Sequence, residues 1–172
     1  MTAGAVAVEL GSTRFRAVAA AVTRQGIQVV RTLAIEVPET LDRSDVAAEG
    51  AWIGKVLAEA EFKSNRCVVA LPREDAVLKR IVHPTGEPDE IADMTRIALE
   101  RDLPFEGESA IIDFVVLEAS ENSTTVLAAA LPSSALQRTY DRMRQAGLKI
   151  QAVSLRAFGA AAVVEGVSAE TD

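Results

Sequence analysis

An acid, a glycine and two hydroxyls stand together at Glu9, Gly11, Ser12 and Thr13, inside the stretch AVAVELGSTRFRAV (residues 5–18). Such a group can hold a phosphate. Glycine lets a backbone turn come close to an anion, serine and threonine add hydroxyl donors, and a carboxylate on the strand before can hold hydrated Mg2+. The same residues also make an ordinary hairpin turn, and the short motif by itself favours that plainer reading. Arg14, directly after the turn, either reaches an anion there or blocks the space it would fill. The rest of the chain has to weigh the two.

Few other residues suggest chemistry. His83 is the single histidine, before Pro84 at a strand end, with no cysteine or carboxylate cluster beside it. Zinc binding and a Ser-His-Asp triad are therefore disfavoured, and His83 is expected to be an exposed loop residue. Cys67 is the only cysteine, so no intrachain disulfide can form; its apolar surroundings mark it as a buried small hydrophobe. Asp113 interrupts the apolar run IIDFVV and needs either an outward face or a partner. Its plain reading is solvent exposure on one side of an antiparallel pair; its functional reading is a polar contact in a groove between subdomains. Leu103, Pro104 and Phe105 follow a helix and either pack back as a local plug or anchor an extended peptide.

Composition narrows the setting. The chain has 172 residues, a net charge of −7, 49% hydrophobic residues and only 4% aromatics. Its core must be built mainly from Ala, Val, Leu and Ile. The acidic balance and scattered arginines argue against nucleic acid, which demands clustered positive charge. No apolar stretch nears the roughly 18 residues of a membrane span, and Glu9 interrupts the N-terminal apolar run, against a signal peptide. A cytoplasmic chain without direct membrane insertion is expected.

The elements that must position these residues can be read in order. Strands are expected over 4–10, 14–22 and 27–37, forming an antiparallel meander. Ser44 is expected to cap a helix with Val46, Gly50, Ile53 and Leu57 on one face and Trp52 off that stripe. The run CVVALP (67–72) reads as a strand covered on both faces, as in a parallel pairing. A middle block follows: a strand over 76–83, a helix with Pro88 in its first turn and Ile91, Met94 and Ala98 inward, then strands over 110–118 and 124–131. Ser133 or Ser134 is expected to cap a helix presenting Leu136, Tyr140 and Met143. That helix should end at Gly147 with Leu148 as the apolar contact, ahead of a strand at 149–154 and a helix from about 156 to 164.

Without the middle block the order is βββαβαβα, that of a ribonuclease H-like fold with two parallel strands added to three antiparallel ones. Nucleases on such a sheet need clustered carboxylates for two metal ions, and the fourth strand, CVVAL, has none. The other use is the actin-like ATPase, in which the first hairpin turn faces nucleotide phosphates.

Three stretches carry a resemblance to a known family. The opening ELGSTRFRAV (9–18) is similar to a family pattern of about Asp-Ile-Gly-Ser-Ser-Ser-Ile-Lys-Ala-Val. EIADMTRIALERDLPFEGESAIIDFVVLEAS (90–120) is similar to an acidic helix ending in a Pro-Phe step and a strand with an internal Asp. AALPSSALQRTYDRMRQAGLKIQAVSLRAFGAA (129–161) is similar to a helix ending in Ala-Gly-Leu-Lys and the elements after it. The chain thus resembles the first half of the PilM family of type IV pilus assembly, itself related to FtsA and GspL. The resemblance implies a ribonuclease H-like, actin-like subdomain (1–71 plus 132–172) carrying an inserted strand-helix-strand-strand subdomain (73–131), with the second lobe absent.

It also implies a scaffold at the inner membrane that binds the N-terminal peptide of a PilN-like partner, at a groove assigned to Leu103, Pro104, Phe105 and Asp113. Glu9, Gly11, Ser12, Thr13 and Arg14 would form half of a nucleotide-phosphate site. ATP and Mg2+ are implied for a full-length protein and none for this chain alone, so catalysis is not expected from it. The alternatives are an actin-like ATPase completed by a second lobe, or a GspL-like secretion platform with a degenerate nucleotide site. Two departures stand out: Glu9 replaces the usual Asp, and Arg14 replaces a small hydroxyl residue.

Overall fold

The fold is a computed structural model describing residues 5–24, 26–84, 87–105, 109–156 and 158. It is a mixed α/β structure with two sheets and, among the described residues, three α-helices. The chain divides into two compact units, Met1–Arg73 with Arg138–Asp172, and Glu74–Gln137.

In the first unit, β1 (Val6–Leu10), β2 (Arg14–Thr23), β3 (Gly26–Glu36), β4 (Arg66–Leu71) and β8 (Lys149–Leu155) form a sheet of order β3-β2-β1-β4-β8. β2 pairs antiparallel with both β1 and β3, whereas β4 pairs parallel with β1 and β8. Alternate residues of β1, β2 and β4 (Val6, Val8, Phe15, Ala17, Cys67, Val69 and Leu71) point into the core. β4 is therefore not evenly covered, because Val68 and Ala70 keep partial exposure between those buried positions. Past Ala19, the last β2 residue opposite β1, the β2–β3 ribbon continues through a bulge and leaves Ile27, Val29 and Val30 exposed.

Helix α1 (Val46–Glu59) buries Gly50, Ile53 and Leu57, as the spacing predicts, together with Glu49, which it does not. Its cap is Asp45, not Ser44: the Asp45 carboxylate accepts from the amides of Ala47 (2.9 Å) and Ala48 (3.0 Å). Ser44 instead donates its hydroxyl (2.6 Å) and amide (2.8 Å) to Asp42. These bonds, the hydroxyl's first, hold the Asp42 carboxyl below its ordinary pKa. Trp52 lies at the edge of the helix face and meets the buried Phe15 ring edge-on, with centroids 5.7 Å apart.

Helix α3 (Ser133–Gln145) ends as expected: Gly147 adopts φ +76°, its amide donates to Arg144 and that of Leu148 to Met143. Its inward face is Thr139 and Met143, whereas Tyr140 is exposed, so the stripe is rotated from the expected one. The helix expected over 156–164 lies outside the described residues beyond 158.

The second unit is a three-stranded antiparallel sheet, order β5-β7-β6, from β5 (Val77–Pro84), β6 (Ala110–Ala119) and β7 (Ser123–Pro132), with α2 (Pro88–Glu100). Pro88 opens α2, where its missing N–H is harmless, and Glu90 Oε2 accepts from the Glu87 amide (3.1 Å). The buried residues of α2 are Ile91, Thr95 and Leu99 rather than Ile91, Met94 and Ala98. Leu99 packs with Ala128 and Ala130, two small side chains on the same face of the central strand.

Candidate functional site

The turn between β1 and β2 is closed by the Gly11 amide donating to the Arg14 carbonyl (2.9 Å). Glycine is needed here for space rather than for an unusual dihedral, since a Cβ at Gly11 would lie 3.1 Å from that carbonyl oxygen. Glu9 is directly opposite Arg16 in the hairpin register. Its Oε1 accepts from Arg16 Nη1 (2.9 Å) and from Arg156 Nη1 (3.0 Å), just past the end of β8. The carboxylate itself is nearly buried.

A third arginine reaches the turn from outside. Arg43 Nη1 donates to the carbonyls of Gly11 and Ser12, both at 3.0 Å. The same guanidinium is ion-paired through Nε to Glu49 Oε1 at 2.6 Å, although the alignment leaves that oxygen without a proper hydrogen bond. Glu49 is fully buried, and its Oε2 accepts from Arg142 Nε of α3 at 2.6 Å. Ser12 and Thr13 are exposed. Arg14 keeps more than half its side chain in solvent and is 3.9 Å from Glu36 of the neighbouring strand.

Mg2+ fits this arrangement poorly. It takes hard oxygen ligands and keeps several waters, but Glu9 is nearly buried and doubly paired, and the turn carbonyls are held by Arg43. Among the described residues no group of three or more His, Cys, Asp or Glu is arranged to hold a metal ion.

The second candidate region is in the other unit. Leu103 and Phe105 are partly buried and pack on the Leu99–Ala128–Ala130 cluster along with Ile112 and Phe114, in the manner of a local plug; Pro104 between them is exposed. Asp113 is exposed on β6, its Oδ1 accepting from the Phe114 amide at 2.9 Å. β6 is an edge strand, and Ile111, Val115, Val116 and Leu117 along it are exposed.

His83 corrects the expectation drawn for it. It lies in β5, is 6% exposed, and places Nε2 at 2.9 Å from Oγ1 of the fully buried Thr95 on α2. An apolar-facing strand position with a hydroxyl opposite satisfies the ring without a metal or a triad. Arg16, Arg43, Glu49 and Arg156 were not singled out from the sequence. Arg16 was within reach, because a short turn centred on Ser12–Thr13 puts it opposite Glu9. Glu49 meets Arg142, and Arg156 meets Glu9, only through chain segments far apart, and Arg43 reaches the Gly11 carbonyl from 32 residues along the chain.

A five-stranded sheet of mixed pairing, with a tight Gly-Ser-Thr turn between its first two strands and a separate helix-backed sheet, defines an α/β protein of two units. The family model for type IV pilus assembly protein PilM matches residues 7–171, and the chain belongs to that family.

Two of the solved structures similar to this chain bear on its setting. One is a PilM–PilN type IV pilus biogenesis complex, at 23% identity and TM-score 0.80 over 90% of this chain and 48% of that one. The other is the cytoplasmic domain of EpsL, an inner membrane component of the type II secretion system of Vibrio cholerae, at 15% identity and TM-score 0.59 over 88% of this chain and 57% of that one. The chain therefore spans about half the length of these relatives. No curated protein matches it. No helix among the described residues is long and apolar enough to cross a membrane.

Proposed function

We propose that this chain is the partner-binding half of a type IV pilus assembly scaffold, holding the N-terminal peptide of a PilN-like inner-membrane protein and sitting at the membrane through it. Family membership supports the pilus setting, and the PilM–PilN complex among its structural relatives supports the class of partner. The strand order of the first unit supports a ribonuclease H-like, actin-like layer, and the second unit supports an inserted subdomain over about 73–131.

The observation that carries the reading is the outer edge of β6. An edge strand offers unpaired backbone groups, and an extended peptide can add to it as a further strand with its side chains in apolar contacts. β6 presents Ile111 and Val115 on the same face as Asp113, whereas β5, the opposite edge, exposes Val82 alone among its large apolar residues. Leu103 and Phe105 support this sheet from the α2 side, with Pro104 exposed between them, and Asp113 supplies the polar contact. The triply arginine-bound turn at residues 9–13 favours this scaffold reading over one in which nucleotide hydrolysis is the main task.

Titration of the partner's N-terminal peptide against the wild type and Val115→Lys tests the proposal. Val115 is 46% exposed, so the change should leave stability within about 0.5 kcal/mol. Affinity should fall at least about tenfold, or roughly 1.4 kcal/mol. Unchanged affinity in Val115→Lys removes β6 from the site. Phe105→Ala, measured beside it, should lose binding in proportion to the stability it loses if the residue supports the sheet, and beyond that loss if it touches the peptide.

A further inference from the structure

We propose that the first hairpin turn of this chain receives no divalent cation, because arginine side chains hold Glu9 Oε1 and two turn carbonyls and place their positive charge where the ion would sit. Three oxygen ligands suited to a hard cation lie at the turn: the Glu9 carboxylate and the carbonyls of Gly11 and Ser12. Glu9 Oε1 carries two guanidinium groups, at 2.9 and 3.0 Å, and both carbonyls accept from Arg43 at 3.0 Å. These two observations are independent, since Arg43 is tied down by Glu49 rather than by Glu9.

Geometry and charge act together. A Mg2+ ion bound to Glu9 Oε1 at about 2.1 Å would lie within roughly 5 Å of two guanidinium nitrogens, whose like charge repels it even with the arginines half in solvent. The nearly buried carboxylate also leaves little room for the waters that Mg2+ retains. The positive partners are built into the fold. Arg16 is fixed opposite Glu9 by the β1–β2 register, and Arg156 follows β8, which β4 joins to β1. The charge that a metal would supply beside Glu9 is thus supplied by the protein.

The test is titration of the whole 15N-labelled protein with Mn2+, whose paramagnetism broadens nearby amide signals. Wild-type amides at 9–13 should show no saturable, EDTA-reversible broadening that Glu9→Gln removes. The double variant Arg16→Gln/Arg156→Gln should acquire such broadening, with apparent Mn2+ affinity at residues 9–13 raised at least tenfold. Both side chains are about half exposed, and retained spectral dispersion checks the fold. If the double variant unfolds, Arg156→Gln alone is read, with the same rise expected in a smaller degree. Saturable Mn2+ broadening in the wild type that Glu9→Gln abolishes overturns the proposal. A folded variant as blind to Mn2+ as the wild type overturns the assignment of the exclusion to the arginines.

Discussion

Gly50→Ala is the sharpest test of how α1 and α3 pack. A Cβ built at Gly50 would lie 2.4 Å from the Gln145 Cβ, 2.6 Å from the Arg142 carbonyl oxygen and 3.3 Å from the Ala146 amide nitrogen. Carbon atoms pack best at about 3.5–4.0 Å, so the two helices would have to part by about 1 Å. One clash is with backbone, which cannot rotate away. Alanine in a helix interior gains about 0.8–1.0 kcal/mol over glycine. Overpacking of this kind costs about 1–3 kcal/mol and sometimes more, and the separation also loosens contacts around Ile53 and Met143. A clash with backbone belongs at the upper end of that range, so after the helix-propensity gain the expected net effect is a loss of about 1–2 kcal/mol, or a melting point lower by roughly 2–8 °C for a chain of this size.

Gly54, one turn on, provides the comparison, since its nearest neighbour would be the Ala146 carbonyl at 3.1 Å. A few tenths of an ångström of movement would relieve that contact, so Gly54→Ala should fall within about 1 kcal/mol of the wild type. Urea melts followed by far-UV circular dichroism and by fluorescence of Trp52, on the same helix, measure both variants. Gly50→Ala as stable as the wild type, or no more harmful than Gly54→Ala, would refute the close approach of the two helices.

Two further predictions follow from buried groups. Glu49→Gln keeps the volume but leaves Arg142 and Arg43 facing a neutral amide; with Arg43 partly solvated, the loss should be about 2–4 kcal/mol by denaturant melts, with faster exchange of the Gly11 amide as Arg43 loosens its hold on the turn carbonyls. A loss under about 0.5 kcal/mol would mean that the ion pairs do not hold α1 and α3 together. Cys67 is fully buried, and desolvation pushes its thiol up to about 11. The folded state therefore holds the proton more tightly than the unfolded chain, whose thiol titrates near 8.5, and the associated stability is intact below that pH and lost as pH rises toward 11. Native protein at pH 8 should react with a thiol reagent many times more slowly than unfolded protein, and equal rates would contradict the burial.

Local sequence determined much of this molecule. Hydrophobic alternation and turn residues located the strands of both sheets, Pro88 located the start of α2, and Gly147 with Leu148 located the end of α3, because each depends on neighbours a few residues away. The resemblance read from residues 9–18, 90–120 and 129–161 agrees with the family to which the chain belongs.

Tertiary structure decided what charged and polar side chains do. Glu49 reads as the solvent side of a helix until Arg142, 93 residues away, comes to meet it. His83 reads as exposed until α2 brings Thr95 over the strand. Glu9 is open in the sequence to a plain hairpin reading or a phosphate-site one, and nothing local announces Arg156, 147 residues on, which pairs with it. Periodicity reports which face of an element is apolar, because burial of that face is a local property of the chain. It is silent on which distant cation pairs with a buried carboxylate, because only the packed sheet order brings the two together.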